Sequence, residues 1–247
     1  MPRKVRPSSP AGASTANRDN RYPVQCASVA ATLGKIRQLL LDKQTKTLDK
    51  SVFTGHTANY VCTLPDGTLY FWTDDMDVDD DGYTSKDGLV LINKPPDWAP
   101  DEDHQPQTSL PGLSAFVDPY VVLPFDPTNW YLNNTECRIG DGAVVIAGNG
   151  EFTLAVFGDE GPGTKIGEMS LAAHAKFVGW GQLFTTGVAH PLPGSATREE
   201  RPQTGPMITM VFPGTRGRSE DPYDLASALE QARLRFWSLS GDKKPPL

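Results

Sequence analysis

Two carboxylates, Asp159 and Glu168, stand at the ends of the stretch Phe157-Gly-Asp-Glu-Gly-Pro-Gly-Thr-Lys-Ile-Gly-Glu168, and each directly follows a glycine. A glycine ahead of an acid lets the backbone turn sharply and leaves room beside the carboxylate. Two acids at the ends of a short Gly/Pro loop can divide acid–base work across a glycosidic bond, one protonated and one ionised. The competing reading is a polar, glycine-rich connection between two elements, a common feature of any fold.

The elements that would position the pair come from the local pattern. Cys137 to Ile146, the turn Gly148-Asn-Gly150 and Glu151 to Phe157 predict a β-hairpin around an Asn-Gly pair. That puts Asp159 at the end of the second strand. Ser170-Leu-Ala-Ala-His-Ala-Lys-Phe177 reads as a helix, with Ile166-Gly-Glu168 as its start. Glu168 is then expected in a first helical turn, where the dipole favours an acid. A strand end and a helix start joined by eight residues can hold two carboxyls on opposite sides of a sugar.

Upstream, Ala58 to Leu64, the turn Pro65-Asp-Gly67 and Thr68 to Thr73 predict a second hairpin. Tyr70, Phe71 and Trp72 in it are either core or a sugar-stacking surface. Tyr120-Val-Val-Leu-Pro124 and Gly205 to Pro213 read as buried strands. Val29 to Leu41 reads as a helix. So does 222–239, with Leu225, Leu229, Ala232, Leu234 and Phe236 on or near one face. Residues 1–22 carry almost no large apolar side chain and are expected to be a disordered tail. The Pro/Asp/Gly-rich stretch 83–116 contains Trp98 and the triplet Gln107-Thr-Ser109, and 242–247 reads as a loose end. The expected organisation is one domain over 23–242: an N-terminal helix, a β-rich core and a C-terminal helix.

The second hairpin runs into Asp74-Asp-Met-Asp-Val-Asp-Asp-Asp-Gly82. Asp77, Asp79, Asp81 and Gly82 match the opening of a calcium loop, but the twelfth position is Gly88 rather than glutamate, although Asp87 adjoins it. An alternative is a carboxylate comb. On an extended segment Asp77, Asp79 and Asp81 project to one side, and like charges so close call for a cation between them. The plain alternative is a solvated acidic loop.

Composition bounds the partners. With 23 basic and 30 acidic residues the net charge is −7, which disfavours nucleic acid. No stretch approaches the ~20 apolar residues of a membrane span. The basic start Met-Pro-Arg-Lys-Val-Arg lacks the apolar core of a signal peptide. Cys26, Cys62 and Cys137 cannot all pair within one chain, leaving one disulfide with a free thiol or three buried thiols. His56, His104, His174 and His190 have no metal-binding spacing. Neither a metal nor a cofactor is predicted.

Three segments in this order, Met76-Asp-Val-Asp-Asp-Asp-Gly82, Gln107-Thr-Ser109 and Phe157-Gly-Asp159 with Ile166-Gly-Glu168, resemble the glycoside hydrolase family 75 chitosanases, over roughly residues 55 to 215. The resemblance implies a mainly β, α+β fold around a six-stranded double-psi β-barrel with long loops. It implies endo-acting, inverting hydrolysis of β-1,4-linked glucosamine polymers. It assigns Glu168 as proton donor and Asp159 as base, a pair whose order is open from the residues alone. Asp77, Asp79, Asp81, Gln107 and Thr108 are the implied substrate-binding residues, the acids facing the polymer's amines. The expected partner is chitosan, met outside the cell by a monomer. The family usually has a cysteine where Asp80 stands and a second shortly after, and both are missing here. The competing functions are a non-catalytic binder of cationic glycans on the same barrel, a related barrel with lytic transglycosylase chemistry, and a calcium-dependent module.

Overall fold

The computed structural model describes residues 46–47, 58–73, 76–82, 105, 107–125, 130–147, 151–162, 165–178, 207–217 and 224–239. The expected tail over 1–22, the helix over 29–41, Cys26, the Gly148-Asn-Gly150 turn, most of 83–106 with Trp98, and the end 242–247 lie outside these residues.

Among the described residues one nine-stranded sheet dominates. Its strands are β1 (Lys46–Thr47), β2 (Ala58–Thr63), β3 (Leu69–Thr73), β4 (Asp77–Asp79), β5 (Tyr120–Phe125), β6 (Gly142–Ala147), β7 (Phe152–Pro162), β8 (Glu168–Ser170) and β9 (Met207–Val211). Three helices accompany it: α1 (Trp130–Asn134), α2 (Leu171–Val178) and α3 (Leu225–Leu239). The order across the sheet is β1-β2-β3-β9-β6-β7-β5-β8-β4. The β5–β7 and β4–β8 pairs are parallel and the rest antiparallel. The fold is mainly β with a few helices, a mixed sheet curled into a half-barrel.

Alternation explains how the sheet is filled. Leu69, Phe71, Val121, Leu123, Val145, Phe157 and Met169 point into one core inside the curl. The opposite face of β6 and β9, with Val144, Ile146, Ile208 and Met210, is covered by Ala232, Phe236 and Trp237 of α3. The set 225, 228, 229, 232 and 236 follows helical spacing and faces the sheet; Leu234 falls off that stripe and is exposed, a correction to the expected face. Trp237, absent from that face, is buried instead, and its ring meets Phe152 at 6.3 Å. Tyr70 and Phe71 are core, whereas Trp72 is exposed. Cys62 and Cys137 are both buried, and the two do not form a disulfide with each other. Burial pushes the Cys137 thiol up to about 12. None of the helices among the described residues is long and apolar enough to cross a membrane.

Candidate active site

Strand β5 is the ruler of the site. It pairs with β7 on one side and β8 on the other, and Val122 is the register partner of both Asp159 and Glu168. Glu168 is in turn the partner of Asp77 across β8–β4. Register partners lie on the same face, so Asp159, Val122, Glu168 and Asp77 form one row across four strands. The Asp159 and Glu168 backbones are two strand spacings apart, about 9.6 Å.

Two sequence expectations change here. Asp159 is inside β7, which continues to Pro162, rather than at its end. Glu168 opens the strand β8, not a helix; the helix begins only at Leu171. The connection between the strands is therefore shorter than the expected eight residues, and register sets the separation of the acids.

The orientation of Asp159 depends on Gly158. Tyr120 pairs with Val156 and Val121 with Phe157, but Val122 pairs with Asp159, so the register steps over Gly158. Without that bulge Asp159 would take the side of Phe157 and point into the core. A Cβ on Gly158 would sit 2.6 Å from both Leu113 Cδ1 and Tyr120 Cβ, so only glycine fits the bulge. Gly167, before the other acid, has φ of 97°, a left-handed conformation suited to glycine. The glycine-before-acid pattern thus does backbone work at both ends.

Asp159 is held by hydrogen bonds. Its Oδ1 accepts from Ser109 N at 2.8 Å, Ser109 Oγ at 2.5 Å and Glu160 N at 2.8 Å. All three fall on one oxygen, which leaves Oδ2 as the oxygen able to take a proton. The Ser109 hydroxyl also accepts from Glu160 N at 3.2 Å. Within the Gln107-Thr-Ser109 triplet the contact to the Asp159 carboxylate thus belongs to Ser109, which is not among the expected site residues. Gln107 is exposed. Thr108 is buried and its hydroxyl donates to Leu110 O at 2.6 Å, a turn contact rather than a carboxylate contact. Glu160, next along β7, accepts a hydrogen bond from the Tyr131 hydroxyl.

Glu168 sits in a different setting. Burial pushes its carboxyl above the usual range, Asp77 and Asp159 add to that, and Lys165 opposes it. The Lys165 ammonium lies 3.0 Å from Glu168 Oε1 and 2.8 Å from Asp77 Oδ2. Burial alone would lower that ammonium, but Glu168 and Asp77 hold it above its ordinary value. A Cβ on Gly161 would lie 3.0 Å from Glu168 Oε2 and 2.8 Å from Val122 Cγ1, so a glycine on β7 makes room for the Glu168 carboxyl. Lys165 is not among the site residues expected from the sequence. The available signal was a lone cation inside a loop bounded by acids.

The described part of the acidic run is not a solvated loop, and Asp79, Asp80 and Asp81 bring one carboxylate oxygen each within 4.8 Å of one another. Asp77 and Asp79 belong to strand β4 and are only 5% and 6% exposed, close to the 4% of Asp159. Asp77 O is 2.9 Å from His174 Nε2 of α2, and Asp77 N donates to Gly167 O. Asp79 Oδ1 accepts from Asp81 N at 2.7 Å, and Asp81 Oδ1 from Gln105 N at 2.6 Å. The Tyr120 hydroxyl donates to Asp81 O at 2.8 Å. The Asp79 carboxyl is pushed well above the usual range by burial, then by the charges of Glu168, Asp159 and Asp81. The comb expectation holds for the common face of Asp77 and Asp79. Asp81 lies past the strand, and its carboxylate holds the Gln105 backbone instead. The structure therefore gathers Asp159, Glu168, Asp77 and Asp79, adds Ser109 and Lys165, and leaves Gln107 and Thr108 outside the cluster of carboxylates.

One carboxylate anchored by three hydrogen bonds and one carboxyl raised above its ordinary pKa, two strands apart on one face, suit acid–base chemistry on a bond lying across β5. No protein-family model matches the chain, and no curated protein matches it.

Proposed function

We propose that the protein is an endo-acting chitosanase, an inverting glycoside hydrolase of β-1,4-linked glucosamine polymers, with Glu168 as proton donor and Asp159 as base. The observation that carries this reading is the common register partner: Asp159 and Glu168 flank Val122 on one face. Their backbone spacing of about 9.6 Å leaves a carboxyl separation compatible with the ~6.5–9.5 Å that an inverting pair needs for an interposed water. Glu168, its pKa raised by burial, gives its proton to the leaving glycosidic oxygen as the bond breaks. Asp159, anchored through Oδ1, takes a proton from water on Oδ2 while the water oxygen adds to the anomeric carbon. The enzyme ends the cycle with the proton on the opposite carboxyl, and exchange with solvent resets it.

The buried acids of β4 favour a cationic polymer. Asp77 and Asp79 share the face of Glu168, and protonated amines offset the like-charge repulsion there. A six-stranded double-psi barrel, action outside the cell and a monomeric state belong to the same proposal.

The test is product analysis on glucosamine hexamer in isotopically labelled water. Shorter oligomers whose new reducing ends carry the label, born as the inverted anomer, are expected. Glu168→Gln and Asp159→Asn should each lower kcat by about 10²–10⁴-fold while circular dichroism stays unchanged. Full activity in both variants would overturn the reading. Binding without cleavage would point to a glycan-binding protein, and anhydro-sugar products to transglycosylase chemistry.

A further inference from the structure

We propose that Lys165 is a specificity-determining residue that stands in for a substrate amine: its ammonium bridges Asp77 and Glu168 until a protonated glucosamine amine displaces it. This rests on the chitosanase reading. The geometry comes first. Asp77 and Glu168 are register partners on β4 and β8, and the Lys165 Nζ lies between their carboxylates at 2.8 and 3.0 Å. Two strand-borne acids about 4.8 Å apart make a fixed cation seat. The cation itself is on a long flexible stem, outside the strands and about a quarter exposed. The acids are the fixed members of the arrangement and the ammonium is the member that can leave.

The second step is chemical. A proton donor must be protonated before it acts, and an ammonium 3.0 Å from Glu168 Oε1 favours the carboxylate. The charged and titratable groups around Glu168 are Lys165 from the connection, Asp77 and Asp79 from β4, and Asp159 from β7. His174 from α2 meets the Asp77 carbonyl. With Lys165 withdrawn, the charged protein groups left around Glu168 are carboxylates, and an amine held on Asp77 takes over the positive charge that the lysine supplied. An incoming amine that takes Asp77 satisfies that carboxylate and releases Lys165. An N-acetylated unit brings a neutral amide, cannot compete for the seat and leaves Glu168 bridged.

The experiment compares the wild type with Lys165→Met, which keeps the stem, and Lys165→Arg, which keeps the charge. Carbon-detected titration of the Glu168 side chain is read without substrate. Its midpoint should move upward in Lys165→Met and stay near the wild type in Lys165→Arg. On glucosamine hexamer, Lys165→Met should lower KM roughly three- to tenfold, the scale of one partly screened ion pair. It should also move the alkaline limb of the kcat/KM profile, which reports the free enzyme, upward and leave that of kcat near the wild type. The disadvantage of partly acetylated hexamers should shrink. An unchanged Glu168 midpoint, or a KM that rises because Lys165 itself holds the sugar, would overturn the inference. If the wild type does not cleave the hexamer, the chitosanase reading fails. Calorimetric affinity for the same hexamer then decides for Lys165: tighter binding by Lys165→Met supports displacement, and equal or weaker binding removes it.

Discussion

On the β7 side of β5, Asp159 receives three hydrogen bonds on one oxygen. On the β8 side, Glu168 has one cation, two acidic neighbours on β4 and a glycine opening beside it. The first carboxylate is fixed by geometry and the second is governed by charge and burial. The two responses to mutation should therefore separate. Removing a hydrogen-bond donor should damage the Asp159 side through position, and changing a charge or a volume should reach the Glu168 side through its proton and its space.

Outside the acid pair itself, the largest expected effect comes from Ser109→Ala. It removes the hydroxyl that both donates to Asp159 Oδ1 at 2.5 Å and accepts from Glu160 N at 3.2 Å. The Ser109 and Glu160 N–H groups remain, so Asp159 stays nearby but loses its lock. A loss of about a hundredfold in kcat, the scale of a small misplacement of a reacting group, is expected with KM unchanged. Ser109→Thr keeps the hydroxyl and should recover part of the rate. The titration of Glu168 should not move in either variant, and a large movement there would break the separation between the two sides.

Gly161→Ala tests the other side by volume. The new Cβ would meet Val122 Cγ1 at 2.8 Å and Glu168 Oε2 at 3.0 Å. A destabilisation of about 2 kcal/mol in a urea titration is expected, within the range for crowding a packed site. The Asp159 hydrogen bonds lie two residues back along β7 and should survive, as their amide signals would report. A neutral effect on stability would mean that Glu168 has other room to occupy.

How much of this was legible in the chain differs between the two sides as well. The hairpins were readable because their apolar residues alternate around Asp-Gly and Asn-Gly turns, and β2–β3 and β6–β7 pair accordingly. The position of Asp159 on β7 was readable, but the face it takes was not, because simple alternation puts it on the side of Phe157 and only the Gly158 bulge turns it to the side of Val122. Glu168 was misplaced in a helix because Glu168-Met-Ser170 is too short to carry a strand pattern and leads straight into α2. Its strand character comes from pairing with β4 and β5, which are distant in sequence. Ser109 and Lys165 act through contacts spanning 50 and 88 residues, to Asp159 and Asp77. Periodicity contains nothing about such distances. The low exposure of Asp77, Asp79 and Asp80 was hidden for the same reason: a run of acids reads as solvated until the pairing of β4 with β8 draws it into the sheet.

The smallest effect concerns Asp79, and it tests whether the Glu168 side is crowded by charge or relieved by a cation. Burial raises its carboxyl well above the ordinary value of 3.8, and Glu168, Asp159 and Asp81 push in the same direction. The unfolded chain releases this proton near the ordinary value, while the folded protein holds it to higher pH. Within that window the folded state binds the extra proton, so stability falls as pH rises through it. The contribution of Asp79 is thus least favourable at neutral pH and recovers on acidification. Asp79→Asn removes the charge and keeps an oxygen to accept from Asp81 N. Its Tm at pH 7 should exceed that of the wild type by about 2–4 °C, the shift produced by ~1 kcal/mol in a domain of this size. The gap should close as the pH is lowered toward 4, where the wild-type carboxyl is also neutral. A lower Tm at pH 7 would mean that the Asp79 charge is matched by a cation, and the contrast between a hydrogen-bonded Asp159 and a charge-crowded Glu168 would then have to be drawn one strand further out.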